Sequence, residues 1–198
     1  MSEFIKETER IYRLKVPFMS LYTSVFLIVT ENSRILVDCA TTAEDVTGYI
    51  IPALKGLGYD LTDINALVVT HRHSDHAGGL DTVVSLAPDI KIVKDVCDLG
   101  DGLFTYALVG HTKDFIGVLD LKDGTLITGD GLQGAGVGKF RTSLETKDGY
   151  LETLSKIEAD KRIDNLLFSH EYEPWYQNRM LGRENVLQCL DECKKYVK

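Results

Sequence analysis

Each of the five histidines in this 198-residue chain follows directly on a run that reads as a β-strand, or sits in the loop just after one. Three of them fall within six residues, His71-Arg72-His73-Ser74-Asp75-His76. At the composition of this chain the pattern H-x-H-x-D-H arises by chance on the order of 10⁻⁴ times, so coincidence is a poor account of it. The spacing has a mechanism. Side chains two apart in an extended turn point the same way, so His71 and His73 can grip one ion. Asp75 and His76, past the bend, can face a neighbouring ion. A single catalytic zinc needs three protein ligands and a water. This chain offers more donors than one ion can use, which points to two metals roughly 3.5–4 Å apart sharing a bridging hydroxide. The plain alternative is a solvated, histidine-rich turn. His111 and His170 taken alone would read as structural histidines, and Asp130 in Thr128-Gly129-Asp130-Gly131 as a turn residue.

The segments around these residues alternate between the two periodicities. Val25 to Val29 and Ile35 to Val37 are apolar, β-branched runs separated by Glu31-Asn32-Ser33, which predicts a strand, a turn and a strand. Thr41 and Glu44 have capping-box spacing, and Val46, Ile50, Leu54 and Leu57 then share one helical face that ends at Gly56 and Gly58, with Pro52 as a point of kinking. Leu67-Val68-Val69 predicts a buried strand running into the polar turn Thr70 to Gly79. Leu80 to Leu86 predicts a helix and Ile90 to Val93 a strand. The second half repeats the logic. Phe104 to Val109 is a strand ending in Gly110-His111, and Phe115 to Leu119 and Thr125 to Thr128 flank the hairpin signal Asp123-Gly124. Gly129 to Gly138 must be loop. Leu151, Leu154 and Ile157 mark a helix, Ile163 to Phe168 a strand, and Glu184 to Tyr196 a closing helix. Strands first, then strand–helix alternation, twice over, predict an α/β domain spanning residues 1–198, with two mixed sheets and helices outside them.

Composition excludes several classes of function. A net charge of -8, with lysines and arginines scattered, weighs against nucleic acid, whose binding needs basic surface to displace counterions. No apolar run approaches the roughly 20 residues of a membrane span, and the N-terminus lacks the apolar core and positive charge of a signal peptide. Cys39, Cys97, Cys189 and Cys193 form no CxxC pair, so reduced thiols in a cytoplasmic protein are expected. The expected partner is a small molecule, with neither nucleic acid nor membrane; the oligomeric state is open.

Thr70-His71-Arg72-His73-Ser74-Asp75-His76-Ala77-Gly78-Gly79 resembles the signature of the metallo-β-lactamase superfamily. Gly110-His111-Thr112, Gly129-Asp130 and Ser169-His170 fall in the order and approximate spacing of its later metal motifs. Ile35-Leu36-Val37-Asp38 is similar to its first motif, though Cys39-Ala40 stands where Thr-Gly is usual. The resemblance runs from about Ser24 to His170. It implies the four-layer αββα sandwich of that superfamily and a metal-dependent hydrolase. By the resemblance, His71, His73 and His111 hold a first metal, Asp75, His76 and His170 a second, and Asp130 bridges. Asp38 becomes a partner that orients the histidine cluster; a strand-end turn aspartate is the competing reading. Zinc suits this donor set first, with iron or manganese as alternatives.

On that ligand set the ions would polarise an acyl carbonyl and activate a hydroxide, and Asp75 would orient that nucleophile and shuttle its proton. An aspartate at the bridging position resembles glyoxalase II-like thioesterases and lactonases more than the exported β-lactamases. The stretch from Gly129 to Phe140 is similar to the glyoxalase segment, although the residue after Leu132 is smaller and a glutathione-binding helical domain is not expected. The expected substrate is a thioester, lactone or similar ester. Lys139 and Arg141 can meet an anionic group on it or remain solvated surface charges. Tyr172, Trp175 and Tyr176 can line a pocket or pack the closing helix. Competing functions are a single-iron, oxygen-dependent enzyme resembling persulfide dioxygenases, a nuclease of the same superfamily, and a non-catalytic metal-binding module.

Overall fold

Leu21–Val29 shows why the first half folds as a sheet. Six consecutive residues, Thr23 to Ile28, are buried, so both faces of this strand are shut off from water, the setting in which continuous apolar and β-branched runs are stable as strands. The computed structural model describes residues 3–132, 144–172 and 177–197. It divides the chain into two units, Met1–Lys94 and Asp95–Lys198. Among the described residues no helix is long and apolar enough to cross a membrane.

The first unit is one six-stranded mixed sheet in sequential order: β1 (Ile5–Lys6), β2 (Ile11–Phe18), β3 (Leu21–Val29), β4 (Arg34–Val37), β5 (Ala66–Val68) and β6 (Lys91–Val93). The first four pair antiparallel, while β4, β5 and β6 are parallel. The two parallel steps need crossovers, and helices supply them. Between β4 and β5 run α1 (Ala43–Asp45), a π turn over Val46–Ile50 and α2 (Ile51–Gly56). Between β5 and β6 run α3 (Ser74–Ala77) and α4 (Leu80–Leu86). Val46, Ile50, Leu54 and Val83 from these helices close over Leu27, Leu36 and Leu67 of the sheet.

One local expectation needs correction. The capping box is formed one residue later than expected. Thr42 accepts from Asp45 N–H at 3.1 Å, and Asp45 Oδ2 accepts from Thr42 N–H at 2.9 Å. Thr41–Glu44 has the same spacing, but Asp45 also receives the N–H of Thr41, which settles the register. Pro52 lies in the first turn of α2, directly after the π turn Val46–Ile50, so the helical run changes its hydrogen-bonding pattern where the proline cannot donate.

The second unit is also a six-stranded mixed sheet, ordered β12-β11-β10-β9-β8-β7. Its strands are β7 (Asp98–Gly100), β8 (Leu103–Ala107), β9 (Ile116–Asp120), β10 (Thr125–Gly129), β11 (Asn165–Tyr172) and β12 (Gln177–Leu181). Only β10 and β11 pair in parallel, and the crossover between them carries α5 (Lys147–Ala159). The last element is α6 (Arg183–Val197). Tyr150, Leu154 and Ile157 of α5 join Val186, Cys189, Leu190 and Cys193 of α6 over Leu126, Leu166 and Phe168. Arg183 ties the two helices: its guanidinium donates to the carbonyls of Ile157, Glu158 and Ile163, satisfying acceptors that the end of α5 leaves over. The Asp123-Gly124 signal marks a hairpin, but the turn is four residues long, since Asp120 pairs with Thr125. All four cysteines are free thiols.

Candidate metal centre

In the first unit the loops leaving β4 and β5 are tied together at the strand ends. Asp38 N–H donates to Val68 O at 2.9 Å, Cys39 N–H to His76 O at 2.8 Å, and Gly78 N–H to Ala40 O at 3.0 Å. A Cβ on Gly78 would lie 1.9 Å from the carbonyl oxygen of Thr41, so glycine after His76-Ala77 is what lets the two loops touch. Asp38 and Ala40 have φ of 64° and 59°. Left-handed backbone at a non-glycine residue costs about 1 kcal/mol, and these hydrogen bonds hold both residues there.

This strained turn aims the Asp38 carboxylate inward. Asp38 is buried, and it accepts from Thr70 N–H at 2.8 Å, from Thr70 Oγ1–H at 2.9 Å and from His76 Nδ1–H at 2.7 Å. A neutral imidazole has one N–H. With that proton on Nδ1, the lone pair of His76 sits on Nε2, and Nε2 lies 3.2 Å from Asp75 Oδ2. A ring lone pair and a carboxylate oxygen repel at that distance unless a positive charge, a proton or a metal ion, lies between or beside them. The three imidazoles cluster: the His71 ring centroid is 4.5 Å from that of His73 and 4.3 Å from that of His76. His71, Asp75 and His76 are buried, and His73 is exposed. Donor atoms of His71 and His73 lie within 4.8 Å of each other, as do those of Asp75 and His76.

The second unit holds His111, Asp130 and His170, all buried. Asp130 follows β10, and His111 lies in the turn after β8, pinned by the start of α5. Thr153 Oγ1–H donates to Val109 O at 2.7 Å, and Thr146 N–H to Gly110 O at 3.2 Å. Gly110 has φ 155°, and a Cβ there would meet the Tyr150 ring at 2.7 Å, so α5 can lie directly against the His111 turn. Asp130 sends its two oxygens to different rings: Oδ1 is 3.2 Å from His170 Nε2, and Oδ2 is 3.9 Å from His111 Nε2. Asp130 thus lies close to both imidazoles of this unit.

His170 departs from the expectation that every histidine follows a strand. It lies inside β11, which runs on to Tyr172. Parallel pairing with β10 stops at Phe168, so β11 carries His170 beyond the end of that pairing, while Tyr172 still pairs with Gln177 of β12. Likewise Asp75 and His76 occupy the single helical turn α3 rather than an irregular bend. Lys139, Arg141, Trp175 and Tyr176 lie outside the described residues, as does the glycine-rich stretch beyond Leu132; Tyr172 ends β11. Thr70 escaped the sequence reading, although a hydroxyl directly before a ligand histidine was the available signal.

Residues 20–96 match the family model described as the metallo-β-lactamase superfamily. A beta-lactamase-like protein 2 homolog of Caenorhabditis elegans is 30% identical over 207 residues, covering 89% of this chain and 68% of that protein. A hydroxyacylglutathione hydrolase of Vibrio campbellii is 30% identical over 138 residues, 61% of this chain and 53% of that one. The chain thus spans between about half and two thirds of the length of these curated relatives. The crystal structure of the metallo-β-lactamase FIM-1 from Pseudomonas aeruginosa, in its mono-zinc form, superposes with a TM-score of 0.77 at 17% identity, covering 99% of this chain and 96% of that one. The two mixed, helix-flanked sheets of this chain thus match the fold of that structure. The chain belongs to the metallo-β-lactamase superfamily.

The donors fit divalent ions. Imidazole nitrogens and carboxylates are the ligands zinc prefers, and iron and manganese accept them. His76 is held by Asp38 through Nδ1 in the outer hydrogen-bonding arrangement that metal-ligating histidines almost always show.

Proposed function

We propose that this chain is a metal-dependent hydrolase of small acyl substrates (thioesters, lactones or related esters), with two divalent ions, zinc foremost. In this reading His71, His73 and His111 hold one ion, Asp75, His76 and His170 the other, and Asp130 bridges. The observation that carries it is Asp130, whose two oxygens turn toward His170 at 3.2 Å and His111 at 3.9 Å. The Vibrio relative's name, hydroxyacylglutathione hydrolase, supports an acyl substrate, and the net charge of -8 supports a small molecule over a nucleic acid.

Bound ions would polarise the acyl carbonyl and lower the pKa of a water enough for it to attack at neutral pH. The remaining work belongs to the protein. Asp38 fixes His76 with its lone pair on Nε2. Asp130 would serve as the shared ligand. Asp75 accepts the proton of the attacking water and returns it to the departing thiolate or alkoxide. The water oxygen bonds to the acyl carbon, the carbon–sulfur or carbon–oxygen bond breaks, and acid and thiol or alcohol leave.

The test is a panel of thioesters, lactones and aryl esters offered to zinc-loaded protein. Hydrolysis that disappears with a chelator and returns with zinc supports the reading. Protein that holds its metal and hydrolyses nothing across the panel overturns it.

A further inference from the structure

Thr70 sits between Asp38 and His71 and is buried. Its hydroxyl oxygen is 2.9 Å from Asp38 Oδ2 and 3.1 Å from His71 Nδ1. A hydroxyl has one hydrogen to give and lone pairs to receive with, whereas an ionised carboxylate only receives. At 2.9 Å the hydrogen must lie toward Asp38, because two oxygen lone pairs facing each other there would repel. The oxygen's lone pair is then what faces the ring, so His71 Nδ1 carries the proton. The lone pair of the neutral imidazole falls on Nε2.

One buried carboxylate therefore dictates two tautomers. Asp38 reaches His76 directly at 2.7 Å and His71 through one hydroxyl. Thr70 also gives its own N–H to Asp38 Oδ1 at 2.8 Å, so its backbone is pinned from the same side and the hydroxyl has little freedom to turn away. We propose that Thr70 is a positioning residue that relays the Asp38 charge to His71 and commits His71 to bind metal through Nε2. The relay rests on the metal-dependent reading for its purpose, but the tautomer it dictates exists without any metal.

That independence sets the experiment. Thr70→Val keeps the branched shape and removes the hydroxyl; Thr70→Ser keeps the hydroxyl. Histidine-labelled, metal-free protein is examined by long-range proton–nitrogen NMR, which distinguishes the two neutral tautomers and the doubly protonated ring, over a pH series. The wild type and Thr70→Ser should show His71 as the Nδ1–H tautomer, Thr70→Val should shift it toward Nε2–H, and His76 should stay Nδ1–H in all three. Zinc competition against a chromophoric chelator should then show Thr70→Val weakened by roughly 10–100-fold, the usual cost of losing an outer-shell partner, and Thr70→Ser close to wild type. His71 found as Nε2–H in the wild type, or unchanged in a folded Thr70→Val protein, overturns the relay. If Thr70→Val does not fold, the wild-type and serine spectra still decide the tautomer. Wild-type protein that binds no zinc while showing the Nδ1–H tautomer counts against the metal reading and leaves the tautomer assignment standing.

Discussion

Replacing Asp38 by asparagine changes one oxygen to an NH2 group and leaves shape and backbone preference alone, since asparagine accepts the φ of 64° found there. The carboxylate receives three donors at 2.7–2.9 Å, one on Oδ1 and two on Oδ2. The amide can turn either way, and each way sets its NH2 against a donor. Facing Thr70 N–H is the milder conflict, because one hydrogen bond is lost there instead of two. A hydrogen bond to a charged group contributes about 1.5–3 kcal/mol, and the remaining two now reach a neutral oxygen, so the net loss should be about 2–3 kcal/mol. For a chain this size that lowers the melting temperature by roughly 4–12 °C. His76 would donate to a neutral acceptor, become a weaker base and be held less firmly, so zinc affinity should fall at least about tenfold. Thermal melts of metal-free protein and zinc competition by a chelator measure the two effects. Unchanged zinc affinity in a folded Asp38→Asn protein would refute the reasoning that Asp38 serves the site through His76.

Other perturbations follow from the same contacts. Gly78→Ala sets a Cβ 1.9 Å from a backbone oxygen with no rotamer to relieve it, and denaturant titration should show a loss of about 3 kcal/mol. Arg183→Ala strips three carbonyls at the α5–α6 junction of their donor and should cost about 2 kcal/mol by the same measurement. The Cys39 thiol is raised to about 12 by burial and then by the charge of Asp38. It should resist alkylation at pH 8 in native protein and react once the chain is unfolded in urea. Because its folded value lies above the unfolded one, the stability it contributes is intact below about pH 9 and is lost as pH rises toward 12, which alkaline melts would show.

The sequence exposes parts of this architecture and hides others for physical reasons. Leu80–Leu86 is a helix with the expected limits, and the apolar cores of β3, β4, β5, β9 and β10 are where period and composition put them. Strand β2 went unread because its Arg13 and Lys15 break the apolar pattern. Arg13 is nonetheless buried, its charge met by Glu7 at 2.6 Å and its guanidinium 4.7 Å from the Phe26 ring, partners that only folding supplies. Strand β12, Gln-Asn-Arg-Met-Leu, is a sheet edge and needs no apolar alternation. Helix α3 is one turn long, too short for a period to show. At the site, His71, His73, Asp75 and His76 are legible because their spacing is local. The pairing of Asp130 with His111 and His170 is set by where β8, β10 and β11 end, and without the family resemblance nothing in the sequence would join them. Asp38's three hydrogen bonds, to residues 32 and 38 positions away, belong to the same class.

The proposed site holds two ions, with Asp130 as their shared ligand. The most direct test is the metal content of protein purified without chelator, wild type beside Asp130→Ala, by elemental mass spectrometry. About two zinc, or mixed zinc, iron and manganese, per chain, falling clearly in the variant, are expected. One iron per chain, unchanged in Asp130→Ala, would contradict this and turn the search toward oxygen chemistry.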